Sequence, residues 1–157
     1  LERRTAPTAL ALSRQNLPFV ARSDAQVAAM ERGGYVLAEA QGGAPQRILI
    51  ATGSEVGLAL AAKKLLDGEG LVTRVVSMPS TEAFDRQDAA YRAAVLPEQV
   101  PTIAIEAGAS ALWWKYVRGA GAVIGIDRFG ESAPGATVFE FFGFTPENVA
   151  GIARGVA

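Results

Sequence analysis

Hydrophobic residues in this chain fall into short unbroken runs separated by stretches with a helical period. "RILIATG" (47–53) is a compact β-branched and leucine run. The following "SEVGLALAAKKLLDGEG" places Leu58, Ala61, Ala62, Leu65 and Leu66 on one helical face. Ser54 stands where an N-cap is needed, Thr52 and Glu55 have capping-box spacing one turn earlier, and Gly68 and Gly70 supply the stop. "TRVVSM", "TIAIEA" and "AVIGID" read as three further strands. Between them lie a loop and helix in "STEAFDRQDAAYRAAVLP", capped by Asp85 or Asp88 and ended by Pro97, and a short aromatic helix in "SALWWKYV". Two helices close the chain, "ATVFEFFG" and "TPENVAGIARGV", the second with Thr145 as N-cap and Pro146 at its first position. Near-continuous apolar strands spaced by helices predict an α/β fold, three layers in the order α/β/α around a mainly parallel open sheet.

The start of the chain is less regular. "TALALSRQNLPF" (8–19) reads as a strand over residues 8–12 that runs out into Arg14, Gln15, Asn16 and Pro18. Residues 23–46 carry two Gly-Gly pairs and little periodicity, as a linker does, with Tyr35-Val36-Leu37 as a short edge strand. The expected organisation is therefore a tail of a preceding domain over 1–22, a linker over 23–46 and the main domain over 47–157.

Composition narrows the chemistry. Of 157 residues half are hydrophobic and a fifth charged, with a formal net charge of −1. This is the balance of a globular protein, with nothing to attract nucleic acid or a membrane; a cytoplasmic setting is the expectation. There is neither cysteine nor histidine. That removes disulfides, thiolate nucleophiles, cysteine metal sites and imidazole-based triads. Any chemistry would need carboxylates, Lys, Tyr, Ser or a cofactor, or completion by residues outside this chain.

Ligands of open parallel sheets sit at the carboxyl ends of the strands, which makes the loops after Ala51, Met78, Ile105 and Ile126 the places to weigh. "ATGSEVG" puts a glycine and amide donors at a helix N-terminus, but lacks both the dinucleotide glycine pattern and the phosphate-loop lysine, so it reads first as a capped tight turn. Glu82, Asp85 and Asp88 read as capping carboxylates rather than a metal site, and Glu106 as a single solvated or capping carboxylate. Trp113, Trp114 and Tyr116 read as core or interface. "DRFGESAPG" (127–135) reads as a rigid, specific loop.

Several long strings resemble one family: "TALALSRQNLP", "RGGYVL", "ILIATGSEV", "RVVSMPSTEAFDRQDAAYRAAVLP", "IAIEAGAS" and "DRFGESAPG...FEFFGFTPENV". Together they look like the C-terminal third of bacterial transketolase, with the Rossmann-like C-terminal domain preceded by the last strand of the pyrimidine-binding domain. The resemblance implies an intact homodimer that moves a two-carbon ketol unit between sugar phosphates in the pentose phosphate pathway. It implies thiamine diphosphate and Mg (or Ca), held by parts of the enzyme outside this chain, and no cofactor within it. On the residues alone Arg14 is an exposed arginine at a strand end. The resemblance instead assigns it to the sugar phosphate of the substrate, a role that suits a permanently charged fork of donors. The chain by itself is then a non-catalytic, dimer-supporting domain whose partner is the remainder of the transketolase chain. The alternative is a regulatory site for a phosphate or nucleotide at the "TGSEVG" helix; an independent nucleotide-binding module lacks its fingerprint.

Overall fold

In a computed structural model the described residues are Thr5 and 7–156. The first positions of the expected 1–22 tail and residue 157 lie outside them. Among the described residues there are five strands, β1 (Tyr35–Ala38), β2 (Arg47–Ala51), β3 (Thr73–Ser77), β4 (Thr102–Ile105) and β5 (Ala122–Ile124). Six α-helices accompany them: α1 (Asp24–Ala29), α2 (Glu55–Gly68), α3 (Thr81–Asp85), α4 (Ala89–Val95), α5 (Gly135–Phe141) and α6 (Pro146–Gly155). Single 3-10 turns cover Met30–Arg32 and Trp113–Lys115.

The strands form one sheet in the order β1-β3-β2-β4-β5. β2, β3, β4 and β5 run parallel, while β1 pairs antiparallel with β3 at the edge. The mainly parallel α/β architecture is the one expected. Register explains how unbroken apolar strands serve two cores. Leu49 lies between Val75 and Ile103 and faces α2 and α6, whereas Ile50 lies between Val76 and Ala104 and faces the other way. The first face buries Val56, Ala59, Ala62 and Leu66 of α2 with Val149, Ala150 and Ala153 of α6. The second buries Met78, Phe84, Val95, Leu96, Trp113 and Tyr116. Because a strand's side chains alternate, each face needs its own helical layer, and the three-layer form follows.

Local chemistry sets the helix boundaries. Thr145 Oγ1 accepts from the Asn148 amide at 3.2 Å, with Pro146 in the first turn of α6, as expected. Asp88 caps α4 through the Tyr91 amide at 2.7 Å. Asp85 is not a cap; Ser80 caps a separate short helix, α3, where a loop is expected from the sequence.

Three expectations are corrected. Residues 8–12 form no strand, since among the described residues nothing pairs with them and a strand without a ladder leaves its backbone to water. Ser54 occupies the N-cap position of α2 but makes no capping bond; its hydroxyl donates to Glu55 instead, at 2.7 Å, and the Thr52–Glu55 box is absent. Residues 23–46 contain a helix as well as the edge strand. α1 is held by a capping box between Ser23 and Gln26, whose amide also donates to the carbonyls of Val36 and Leu37 at 3.2 and 2.7 Å.

Candidate functional site

The carboxyl ends of the parallel strands gather four loops, and the N-terminal segment comes near two of them. An added methyl on Gly53, in the β2–α2 turn, would stand 3.8 Å from Ser13 Oγ, and one on Gly135, at the start of α5, would stand 3.6 Å from Gln15 Cγ. Arg14 is therefore flanked by two residues that lie near the β2–α2 turn and the start of α5, and its own side chain is exposed. Further along, Val20 packs against the core beside α2, and Arg22 donates to the Tyr35 hydroxyl at 2.7 Å and to the Val20 carbonyl at 2.8 Å. A cleft of about 370 Å³ remains between residues 17–20 and the beginning of α2.

The floor of this edge is acidic. Glu55, at the start of α2, is only 3% exposed, and its carboxylate accepts from Ser54. Glu106, at the end of β4, is half-buried. Burial pushes both carboxyls above the ordinary carboxylate range, and the charge of Glu55 pushes Glu106 further. The "TGSEVG" turn thus presents a carboxylate where an anion site would need open amides. The amides of Glu55 and Val56 already reach the carbonyls of Thr52 and Gly53. The single, solvated or capping role expected for Glu106 gives way to a carboxyl that feels the charge of Glu55; the sequence shows one glutamate at a helix start and one at a strand end but not their adjacency.

The sign of the linkage is definite. A carboxyl whose folded pKa is raised favours the folded state most when protonated, below the unfolded value near 4.5, and that advantage is lost as pH rises through the folded value. Glu55→Gln keeps an acceptor for Ser54 and removes the buried charge. We expect it to stabilise the chain at pH 7 by on the order of 1 kcal/mol, with the gain shrinking toward pH 4, in urea unfolding followed across that range. An equal gain at both pH values would contradict the assignment.

The other loops are built differently. Asp127 accepts from the amide and hydroxyl of Ser110 at 2.9 and 2.6 Å, tying the β5–α5 loop to the loop after β4, and these bonds hold its carboxyl below the usual range. Arg128 lies over the rings of Phe141 and Phe142, 5.1 and 4.9 Å from their centroids, and Phe129 is 95% exposed. The loop is tied at Asp127 and Arg128 and leaves one large apolar side chain in solvent. Trp113 and Tyr116 are core residues, as expected, whereas Trp114 is exposed.

No metal site arises from the acidic string after β3. Glu82 accepts from the hydroxyls of Ser80 and Thr81, Asp85 from Lys115 and Tyr116, and Asp88 from the Tyr91 amide. The three carboxylates are spent on separate partners. Among the described residues no group of three or more acidic side chains is placed to hold an ion. No described helix is long and apolar enough to cross a membrane.

Comparison with known proteins gives this architecture a family. The profile described as "Transketolase-like TK C-terminal domain" matches residues 33–145. "Transketolase 2" of Vibrio parahaemolyticus is 57% identical over 155 residues, covering 98% of this chain and 23% of that protein. "Transketolase 1" of Escherichia coli is 55% identical over 155 residues with the same coverage. Among solved structures, transketolase from Leishmania mexicana superposes with a TM-score of 0.76 at 41% identity, covering 83% of this chain and 18% of that one. A Pichia stipitis transketolase solved with sedoheptulose-7-phosphate gives 0.80 at 40% identity, covering 91% and 20%. The chain spans less than a quarter of the length of the curated relatives it matches. With its core strings, its sheet order and its relatives in agreement, the chain belongs to the transketolase family and carries that family's C-terminal domain.

Proposed function

We propose that this chain works as the non-catalytic C-terminal part of a cytoplasmic, homodimeric transketolase. The complete enzyme moves a two-carbon ketol unit between sugar phosphates with thiamine diphosphate and Mg (or Ca). In this reading residues 1–22 are the tail of the pyrimidine-binding domain, 23–46 the linker and 47–157 the C-terminal domain. The observation that carries the proposal is 55–57% identity to transketolases over 98% of the chain.

The residues present do not fit the cofactor. Thiamine diphosphate with its metal needs oxygen ligands converging on an ion and donors converging on a diphosphate, and the carboxylates described above are separately engaged. Those groups must come from the remainder of the enzyme. What this chain contributes to the reaction is Arg14. Its guanidinium is the group we assign to the substrate phosphate, and the nearness of Ser13 and Gln15 to the β2–α2 turn and the start of α5 supports that placement. A cation held at the rim of the substrate channel orients the phosphate end of the sugar and leaves the carbonyl end free for chemistry.

Two assays test this reading. The purified 157-residue chain, supplied with thiamine diphosphate and Mg, should show no ketol transfer above background. A chimera in which it replaces the corresponding C-terminal segment of the Escherichia coli relative should transfer ketol units at near the parental rate. Turnover by the isolated chain, or a folded but inactive chimera, would overturn the proposal.

A further inference from the structure

A second concave surface lies on the sheet face opposite α2 and α6, between α4 and the Trp113–Lys115 turn. It encloses about 430 Å³, within the range of small-molecule pockets, and its walls include Phe84 and Leu96 beside Arg92, Lys115 and Arg118. The acidic residues of the groove are Asp85 and Glu98. Asp85 is already answered, since it accepts from Lys115 Nζ at 2.7 Å and from the Tyr116 hydroxyl at 3.1 Å. Burial, and then Asp85 itself, push the Tyr116 phenol up to about 12, so it remains a donor to that carboxylate at working pH.

The two arginines are held without being neutralised. Arg92 Nη1 donates to the carbonyls of Asp85 and Gln87 at 2.9 and 2.5 Å, closing the corner between α3 and α4. Arg118 Nη1 donates to the carbonyls of Lys115 and Val117 at 2.8 and 3.2 Å. Neutral carbonyls fix the orientation of each guanidinium and leave its charge uncompensated. Among the described residues, the ion pairs involve neither of them. Glu98, exposed on the rim, bonds to neither. Each guanidinium keeps its Nε and Nη2 donors for another partner, and Lys115 keeps N–H groups beyond the one Asp85 takes.

Two uncompensated, pre-oriented guanidiniums, Arg92 on α4 and Arg118 just after the Trp113–Lys115 turn, beside a Lys115 that already pairs with Asp85, suit an anion with several acceptor oxygens and more than one negative charge. A phosphoryl group meets that description better than a planar carboxylate. The overall charge of −1 disfavours an extended polyanion such as nucleic acid, so the ligand is small. We propose that the groove between α4 and the Trp113–Lys115 turn binds a small phosphorylated molecule, its phosphoryl oxygens held by Arg92, Lys115 and Arg118. This site is separate from Arg14, and its existence does not depend on the role proposed for that residue.

The test uses the 157-residue chain and inorganic pyrophosphate at low ionic strength, followed by isothermal titration and by amide shifts in NMR spectra. Saturable binding is expected, with shifts confined to α4 and residues 113–118 and with affinity falling as salt is added. Arg118→Gln and Lys115→Met should each weaken it about tenfold or more, with circular dichroism unchanged. Arg154→Gln, on α6 and paired with Glu69, should leave it intact. Adenosine monophosphate and ribose 5-phosphate as further probes distinguish a nucleotide from a sugar phosphate, both within the proposed class. No saturable binding, wild-type affinity in either groove variant, equal weakening by Arg154→Gln, or acetate binding as tightly as pyrophosphate would each overturn the proposal.

Discussion

Gly33→Ala is expected to lower the melting temperature by about 10 °C. Gly33 closes the Met30–Arg32 turn with φ +83°, and an added Cβ would stand 2.2 Å from the Ser80 carbonyl oxygen and 2.4 Å from the Phe84 amide. The backbone there cannot retreat cheaply. The Ser80 amide donates to the Gly33 carbonyl at 3.0 Å, and Phe84 is buried in the second core. A left-handed residue with a side chain costs about 1–2 kcal/mol, and forced overpacking adds about 1–3 kcal/mol, against a typical domain stability of about 5–15 kcal/mol. Gly42→Ala separates the two contributions. It has φ +90° with nothing within 4 Å, so it should lose only the torsional part. Thermal unfolding by circular dichroism of both variants measures the difference; similar losses would show that the close approach to α3 is not what Gly33 is for.

In the active chimera, Arg14→Ala should reduce kcat/KM for phosphorylated substrates by roughly 10- to 150-fold, the loss of a charge-assisted contact worth about 1.5–3 kcal/mol. The loss should fall mainly on KM. Phosphate binding is present in the ground state as in the transition state, so removing it weakens both. Unphosphorylated acceptors should be nearly unaffected. An equal loss with both kinds of acceptor would assign Arg14 to the fold or to the reacting end of the sugar rather than to the phosphate. Because Arg14 is exposed and its neighbours are the residues near Gly53 and Gly135, the substitution should not displace the segment.

The parallel strands were legible because their apolar runs need no partner to be recognised. "RILIA" and "TIAI" can only be buried on both faces, and Leu49 and Ile50 do serve opposite cores. "TALAL" misled for the opposite reason. Its composition fits a strand, but a strand exists only in a ladder, and among the described residues no element pairs with it. α1 escaped notice because six residues are too few to display a period, although the Ser23–Gln26 spacing that caps it was visible in the sequence. At the candidate site, Arg14 came from family strings and not from its own surroundings. The pairing of Glu55 with Glu106, and the convergence of Arg92 with Arg118, depend on crossovers that bring separate elements together, and no local spacing records them.

The Gln26 side chain has a consequence for how this domain behaves in company. Its amide occupies the Val36 and Leu37 carbonyls where the β1–β3 register shifts, at the end of the sheet. Those carbonyls already have a donor beside them, so a strand from another molecule would have to displace or crowd it, and the irregular register would misalign one that tried to add. One short helix thereby acts as a guard against runaway polymerisation through this edge, a protection the domain carries with it whether or not the rest of an enzyme surrounds it.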